Sequence, residues 1–151
     1  MLAWALLIGI VAGLRAMTPL AAVAWAATRE TLPLDHSWLA FLGWRFTAPI
    51  LTLLAIAELV TDQLPSTPSR KVPVQFGTRI VVGAVTGAAI GIPAGSPLAC
   101  GAAGVVGAVI GTLGGAAVRG RLAAAFGRDT PAALIEDVVA IGLVLIVVAN
   151  V

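Results

Sequence analysis

Charge is what this 151-residue chain has least of. Only 11% of its residues are Asp, Glu, Lys or Arg, against about 25% in a typical water-soluble domain. With 60% hydrophobic residues and a mean hydropathy of +1.05, the composition is that of an integral membrane protein. No basic run with interleaved aromatic residues occurs, which excludes nucleic-acid binding as a working class. A single cysteine, Cys100, lies in an apolar run. It has no intramolecular disulfide partner and reads as a small buried hydrophobe. The one histidine, His36, falls in the polar stretch LPLDHSW and reads as a surface residue. Without a His/Cys cluster there is no basis for a zinc or haem site. No Ser–His arrangement or phosphate-cradling loop supports enzyme chemistry, so no catalytic residue, cofactor or metal is expected.

What is present is a series of apolar runs. A spanning helix needs roughly 20 mainly apolar residues, and five candidates occur: 2–27, 38–63, 78–92, 98–118 and 131–150. The predicted fold is one all-α transmembrane domain over 1–151, a bundle of about five helices. The N-terminus has no basic n-region, and Arg15 follows the first apolar stretch. The first run therefore reads as a retained helix rather than a cleaved signal. Prolines 33, 65, 68, 73, 93 and 97 punctuate the connections. Thr130 and Pro131 read as N-cap and first position of the last helix.

All four tryptophans, Trp4, Trp25, Trp38 and Trp44, fall in the first 44 residues. Trp4 and Trp25 are separated by about 31 Å of helix rise, one hydrocarbon thickness, and tryptophan favours the interface. Trp38 then marks the return, so the first two helices read as an antiparallel hairpin. Arg45 beside Trp44 reads as a snorkelling residue. Basic residues gather in two connections, Arg70, Lys71 and Arg79 in one and Arg119, Arg121 and Arg128 in the other. The positive-inside rule makes both cytoplasmic. The N-terminus is then cytoplasmic and the C-terminus periplasmic.

Glycine is patterned. Gly83, Gly87 and Gly91 recur every four residues in GAVTGAAIG. Gly101, Gly104, Gly107, Gly111, Gly114 and Gly115 follow in GAAGVVGAVIGTLGG. Such stripes let backbones approach closely where burial in lipid contributes little. Packing between helices three and four accounts for them, and so does a homo-oligomeric interface. A nucleotide loop does not, because no strand precedes the glycines.

The remaining signal is acidic. Glu58 and Asp62 share a face near the end of helix two, and Glu136 and Asp137 lie at matching depth near the start of helix five. Glu136 and Asp137 diverge by about 100° around their helix, so one of them at most is expected to face helix two. Arg15 sits mid-membrane, where an arginine costs about 2.5–3.5 kcal/mol on insertion scales. Pro19 frees a carbonyl one turn earlier and allows a kink. Two readings stay open. The acids pair with Arg70, Arg79, Arg119 and Arg128 and anchor loops, or Arg15, Glu58, Asp62, Glu136 and Asp137 line a cytoplasm-facing site for a small ion or polar solute. The stretches 13–22 and 127–137, GLRAMTPLAA and GRDTPAALIED, share an arginine and a Thr-Pro pair and hint at an inverted repeat.

The segments GLRAMTPLAAVAWA, AELVTDQLPSTPSR, GAVIGTLGGAAVR and GRDTPAALIEDVVAIG resemble a family of bacterial membrane proteins, number 4126 among the domains of unknown function. The resemblance covers nearly the whole chain and implies a small polytopic inner-membrane protein, with no established activity. Its motif positions here are Arg15, Pro19, Glu58, Asp62, Pro65, Pro68, Arg70, Arg119, Glu136 and Asp137. The function expected is transport or permeation through an intramembrane carboxylate–arginine site. The alternative is an accessory subunit that packs partner helices through its glycine stripes.

Overall fold

A computed structural model describes residues 1–64 and 71–151. Pro65, Pro68 and Arg70 lie outside the described residues. Among those described, the chain is all-α, with six α-helices: α1 (Leu2–Leu14), α2 (Met17–Thr28), α3 (Thr47–Thr61), α4 (Pro73–Gly91), α5 (Pro97–Phe126) and α6 (Asp129–Val148). A short 3-10 turn, Ala40–Gly43, precedes α3. Three helices, α4, α5 and α6, are long and apolar enough to cross a membrane. That corrects the five-span expectation and fits a membrane protein.

The difference lies in the first half of the chain. The run 2–27 is not one helix. Arg15 is extended, with φ −141° and ψ 117°, and a new helix starts at Met17. Pro19 supplies the cause. In a continuous helix its ring would clash with the carbonyl of Arg15, four residues back, and it has no N–H to donate there. At the third position of a new helix the same proline meets no such penalty. The expected second run, 38–63, yields only the 15-residue α3. Its first part turns through the 3-10 segment, tied by the Thr47 hydroxyl, which donates to the Phe41 carbonyl at 2.7 Å.

The later boundaries moved less. α4 begins five residues earlier than expected, with Pro73 in its first turn. α5 runs on to Phe126 and stops at Gly127, whose φ of 67° needs glycine's left-handed freedom. Arg119 and Arg121 are therefore helical, not loop residues. α6 starts at Asp129 with Arg128 at the N-cap position, so Thr130 is not the cap. Asp129 complements the positive helix start, and a proline two positions later is tolerated because first-turn amides have no intrahelical acceptor.

α5 is the central element and packs on α1, α4 and α6. At two of these contacts an added Cβ would collide with the neighbouring backbone. A Cβ built on Gly104 would lie 2.0 Å from the Gly83 carbonyl oxygen, and one on Gly107 would lie 2.2 Å from that of Leu6. Cys100 is fully buried where α5 meets Gly91 of α4. α1 and α2 pack little on each other, so they run on from one another rather than folding back. α3 lies on α2.

Candidate functional site

The break between α1 and α2 leaves helix-end groups without intrahelical partners. Both ends are met by side chains of the charge that suits them. On the α1 side, Arg79 of α4 donates through Nη1 to the carbonyls of Gly13 (2.9 Å) and Leu14 (2.7 Å). The Thr112 hydroxyl donates to Gly13 at 3.3 Å, and Arg15 itself donates to Leu14 at 3.0 Å. On the α2 side, the amides of Ala16 and Met17 donate to the two carboxylate oxygens of Glu58, each at 2.8 Å. Cations thus sit at the negative end of α1 and an anion at the positive end of α2, as the helix dipoles favour.

Arg15 projects from the break and is fully buried. Its Nη1 lies 2.7 Å from Asp62 Oδ2, and its Nε donates to Asp137 Oδ1 at 2.7 Å. Its Nη2 stands 2.5 Å from Asp137 Oδ1, an ion pair off the line of a hydrogen bond, and 3.7 Å from Glu136 Oε2. Asp62 also meets Arg119 Nη1 at 2.5 Å. Arg119 is held in turn by Asp129, through Nε at 2.9 Å and Nη2 at 2.5 Å, and lies 3.4 Å from Glu136. Arg79 Nη2 lies 3.7 Å from Glu58 Oε1. Gln63 donates to Asp137 at 3.5 Å.

The five residues singled out from sequence, Arg15, Glu58, Asp62, Glu136 and Asp137, therefore come together around one helix break. Glu136 and Asp137 both approach Arg15, because the guanidinium presents three nitrogens over a wide front, and of the two it is Asp137 that meets Gln63 just beyond α3. The acids also pair with Arg79 and Arg119, so the two sequence readings describe one network. Arg128 is exposed and heads α6. His36 and Arg45 are exposed, and Arg45 stacks over Phe46 at 4.4 Å rather than on Trp44. Comparison of the chain with family models, curated proteins and solved structures finds no match.

Sequence reasoning placed Arg79 and Arg119 in loops. Both were detectable as continuations of the glycine rows. Arg79, Gly83, Gly87 and Gly91 are spaced by four, and so are Gly111, Gly115 and Arg119. Residues four apart share a helix face, so each arginine belongs on the packed side of its helix, although Arg79 reaches α1 whereas Gly83, Gly87 and Gly91 lie on α5. An apolar groove of about 270 Å³ between α1, α5 and α6 ends on Arg119 and Glu136, with Gly114 and Gly115 in its wall.

Proposed function

We propose that this chain is a small polytopic membrane protein that passes a small ion or polar solute through a polar centre at the α1–α2 break. The observation that carries this reading is Arg15, which is 0% exposed yet ringed by carboxylates from two other helices. Ionisable groups at membrane depth are costly and concentrate on pathways and proton relays. Transporters place such groups where a spanning helix is interrupted and its ends face the substrate. Here the α1–α2 break supplies such an interruption, beside the three helices, α4, α5 and α6, that are long and apolar enough to cross. In this reading the membrane is the bacterial inner membrane, with the N-terminus cytoplasmic, in keeping with the family resemblance and the basic residues beside α4 and α5. Glycine packing of α4 against α5, and of α5 against α1, supplies the close backbone contact that lipid does not.

The test is flux. Purified protein in proteoliposomes is assayed against a panel of monovalent ions and small polar solutes, alongside Arg15→Gln and Glu58→Gln. Transport that falls at least tenfold in both variants, with folding intact, supports the reading. A flux that neither substitution alters removes it.

A second reading rests on Gly114, Gly120 and Gly142, where an added Cβ would meet nothing within 4 Å. These open glycines suit an accessory subunit that receives helices of a partner or of a second copy. Cross-linking in a native membrane separates it from the first reading, because an accessory subunit gives a defined adduct and no flux of its own.

A further inference from the structure

The attachment of α3 differs at its two ends. Its first half is seated by packing. Ala48 is fully buried, Leu51 joins the main core, and the Trp25 indole donates to the Thr52 hydroxyl at 2.9 Å. Large apolar residues face outward along the whole helix, but past Ala55 no residue is buried: Ile56 is 51% and Val60 61% exposed, and Leu59 is half-buried. What holds this second half is polar: Glu58 on the α2 amides and Asp62 on Arg15 and Arg119.

Each cation that α3 touches has other acceptors on another helix. Without Asp62, Arg15 keeps Asp137 and Glu136 of α6. Arg119 keeps Asp129 and Glu136. Without Glu58, Arg79 keeps the carbonyls of Gly13 and Leu14. Stranding a buried charge is the usual reason an ion pair cannot open, and that reason is absent here. Among the described contacts, the amides of Ala16 and Met17 lose their acceptor and Arg119 Nη2 loses the Asp62 carbonyl, and water or a solute oxygen can replace either.

We propose that the second half of α3 is a latch that closes the polar centre, docked by Glu58 and Asp62 and free to swing away about Thr52–Ala55. The latch goes beyond the transport reading by giving its site a gate, and its test needs no substrate. The groups facing Glu58 are the amides of α2 and Arg79 of α4. Those facing Asp62 are Arg15 and Arg119, with Glu136, Asp137 and Asp129 of α6 competing for the same cations and Gln63 beside it.

The amides of Ala16 and Met17 lie under the latch, donating to Glu58, and Cys100 is buried in the first turn of α5, so the two report separately. In Asp62→Asn protein, which leaves Glu58 in place, hydrogen exchange read by mass spectrometry follows these amides, and alkylation by a small maleimide follows Cys100. The latch predicts at least tenfold faster exchange at Ala16 and Met17 than in the unsubstituted protein, while Cys100 stays protected. Unchanged exchange at the two amides overturns the proposal. So does parallel exposure of Cys100, since the acid would then hold the whole bundle rather than one half-helix.

Discussion

Gly104→Ala is the most informative single substitution in the bundle. The added Cβ would lie 2.0 Å from the carbonyl oxygen of Gly83 and 3.2 Å from Cα of Gly87. The first distance falls about 1.4 Å short of the 3.4 Å at which ordinary contact begins. The obstacle is backbone, so no rotamer change relieves it. Retreat of α5 is blocked as well, because the Gly104 carbonyl already lies where a Cβ on Gly9 of α1 would come to 2.2 Å. The helices must part, and a gap of 0.5–1 Å already forfeits a quarter to a half of each dispersion contact. Overpacking costs about 1–3 kcal/mol and occasionally more, and this site belongs at the top of that range. Alanine's higher helix propensity returns about 1 kcal/mol. The net expectation is a loss of roughly 2 kcal/mol. Gly120→Ala, on the same helix with nothing within 4 Å, is the control, and should gain up to about 1 kcal/mol. Equilibrium unfolding in mixed micelles, followed by tryptophan fluorescence, measures both. If Gly104→Ala proves as stable as Gly120→Ala, close backbone approach is not what holds α4 to α5.

The polar centre gives further expectations. Arg15→Gln leaves Asp62, Asp137 and Glu136 facing one another in a buried setting and should cost about 3–5 kcal/mol, read by the same unfolding assay; a loss under 1 kcal/mol would contradict the network. Glu58→Gln turns an NH2 group toward one of the two α2 amides and should cost about 1–3 kcal/mol, whereas Glu58→Asp, one methylene shorter, should lose both contacts and fare no better. Arg79→Ala removes the donor shared by the Gly13 and Leu14 carbonyls and should destabilise more than Arg121→Ala, an exposed change expected to stay within about 0.5 kcal/mol. In a double-mutant cycle, Asp137→Asn should couple to Arg15→Gln more strongly than Glu136→Gln does, because Asp137 lies 2.5 Å from the guanidinium and Glu136 3.7 Å.

How far the sequence could be read depended on which interaction set each feature. The later helices were legible because long apolar runs bounded by proline and glycine leave few alternatives, and α4, α5 and α6 appeared within a few residues of their expected positions, apart from the C-terminal extension of α5. The first run was not, because apolar composition is the same for one long helix and for two short ones. The arbiter there was Pro19, which by itself allows a kink or a break. A proline in a continuous helix loses a single hydrogen bond, whereas this one sits where three other helices supply the missing partners: Glu58 from α3, Arg79 from α4 and Thr112 from α5. No local pattern records that supply, since the donors and acceptors come from 41 to 99 residues away. The acids were found by their rarity in an apolar background, but their partners were misplaced, because positive charge near a helix end was assigned to loops. The rows Arg79–Gly83–Gly87–Gly91 and Gly111–Gly115–Arg119 show why that assignment fails. A residue that extends a glycine row stays on the packed side of its helix, so Arg79 and Arg119 turn inward, with side chains 4% and 13% exposed, rather than out into a loop. An arginine so placed meets helix-end carbonyls or carboxylates. The rows thus put both cations on the inner sides of α4 and α5, within reach of the broken helix, but on other partners than the glycines touch: Arg79 meets α1, and Arg119 meets Asp62 and α6.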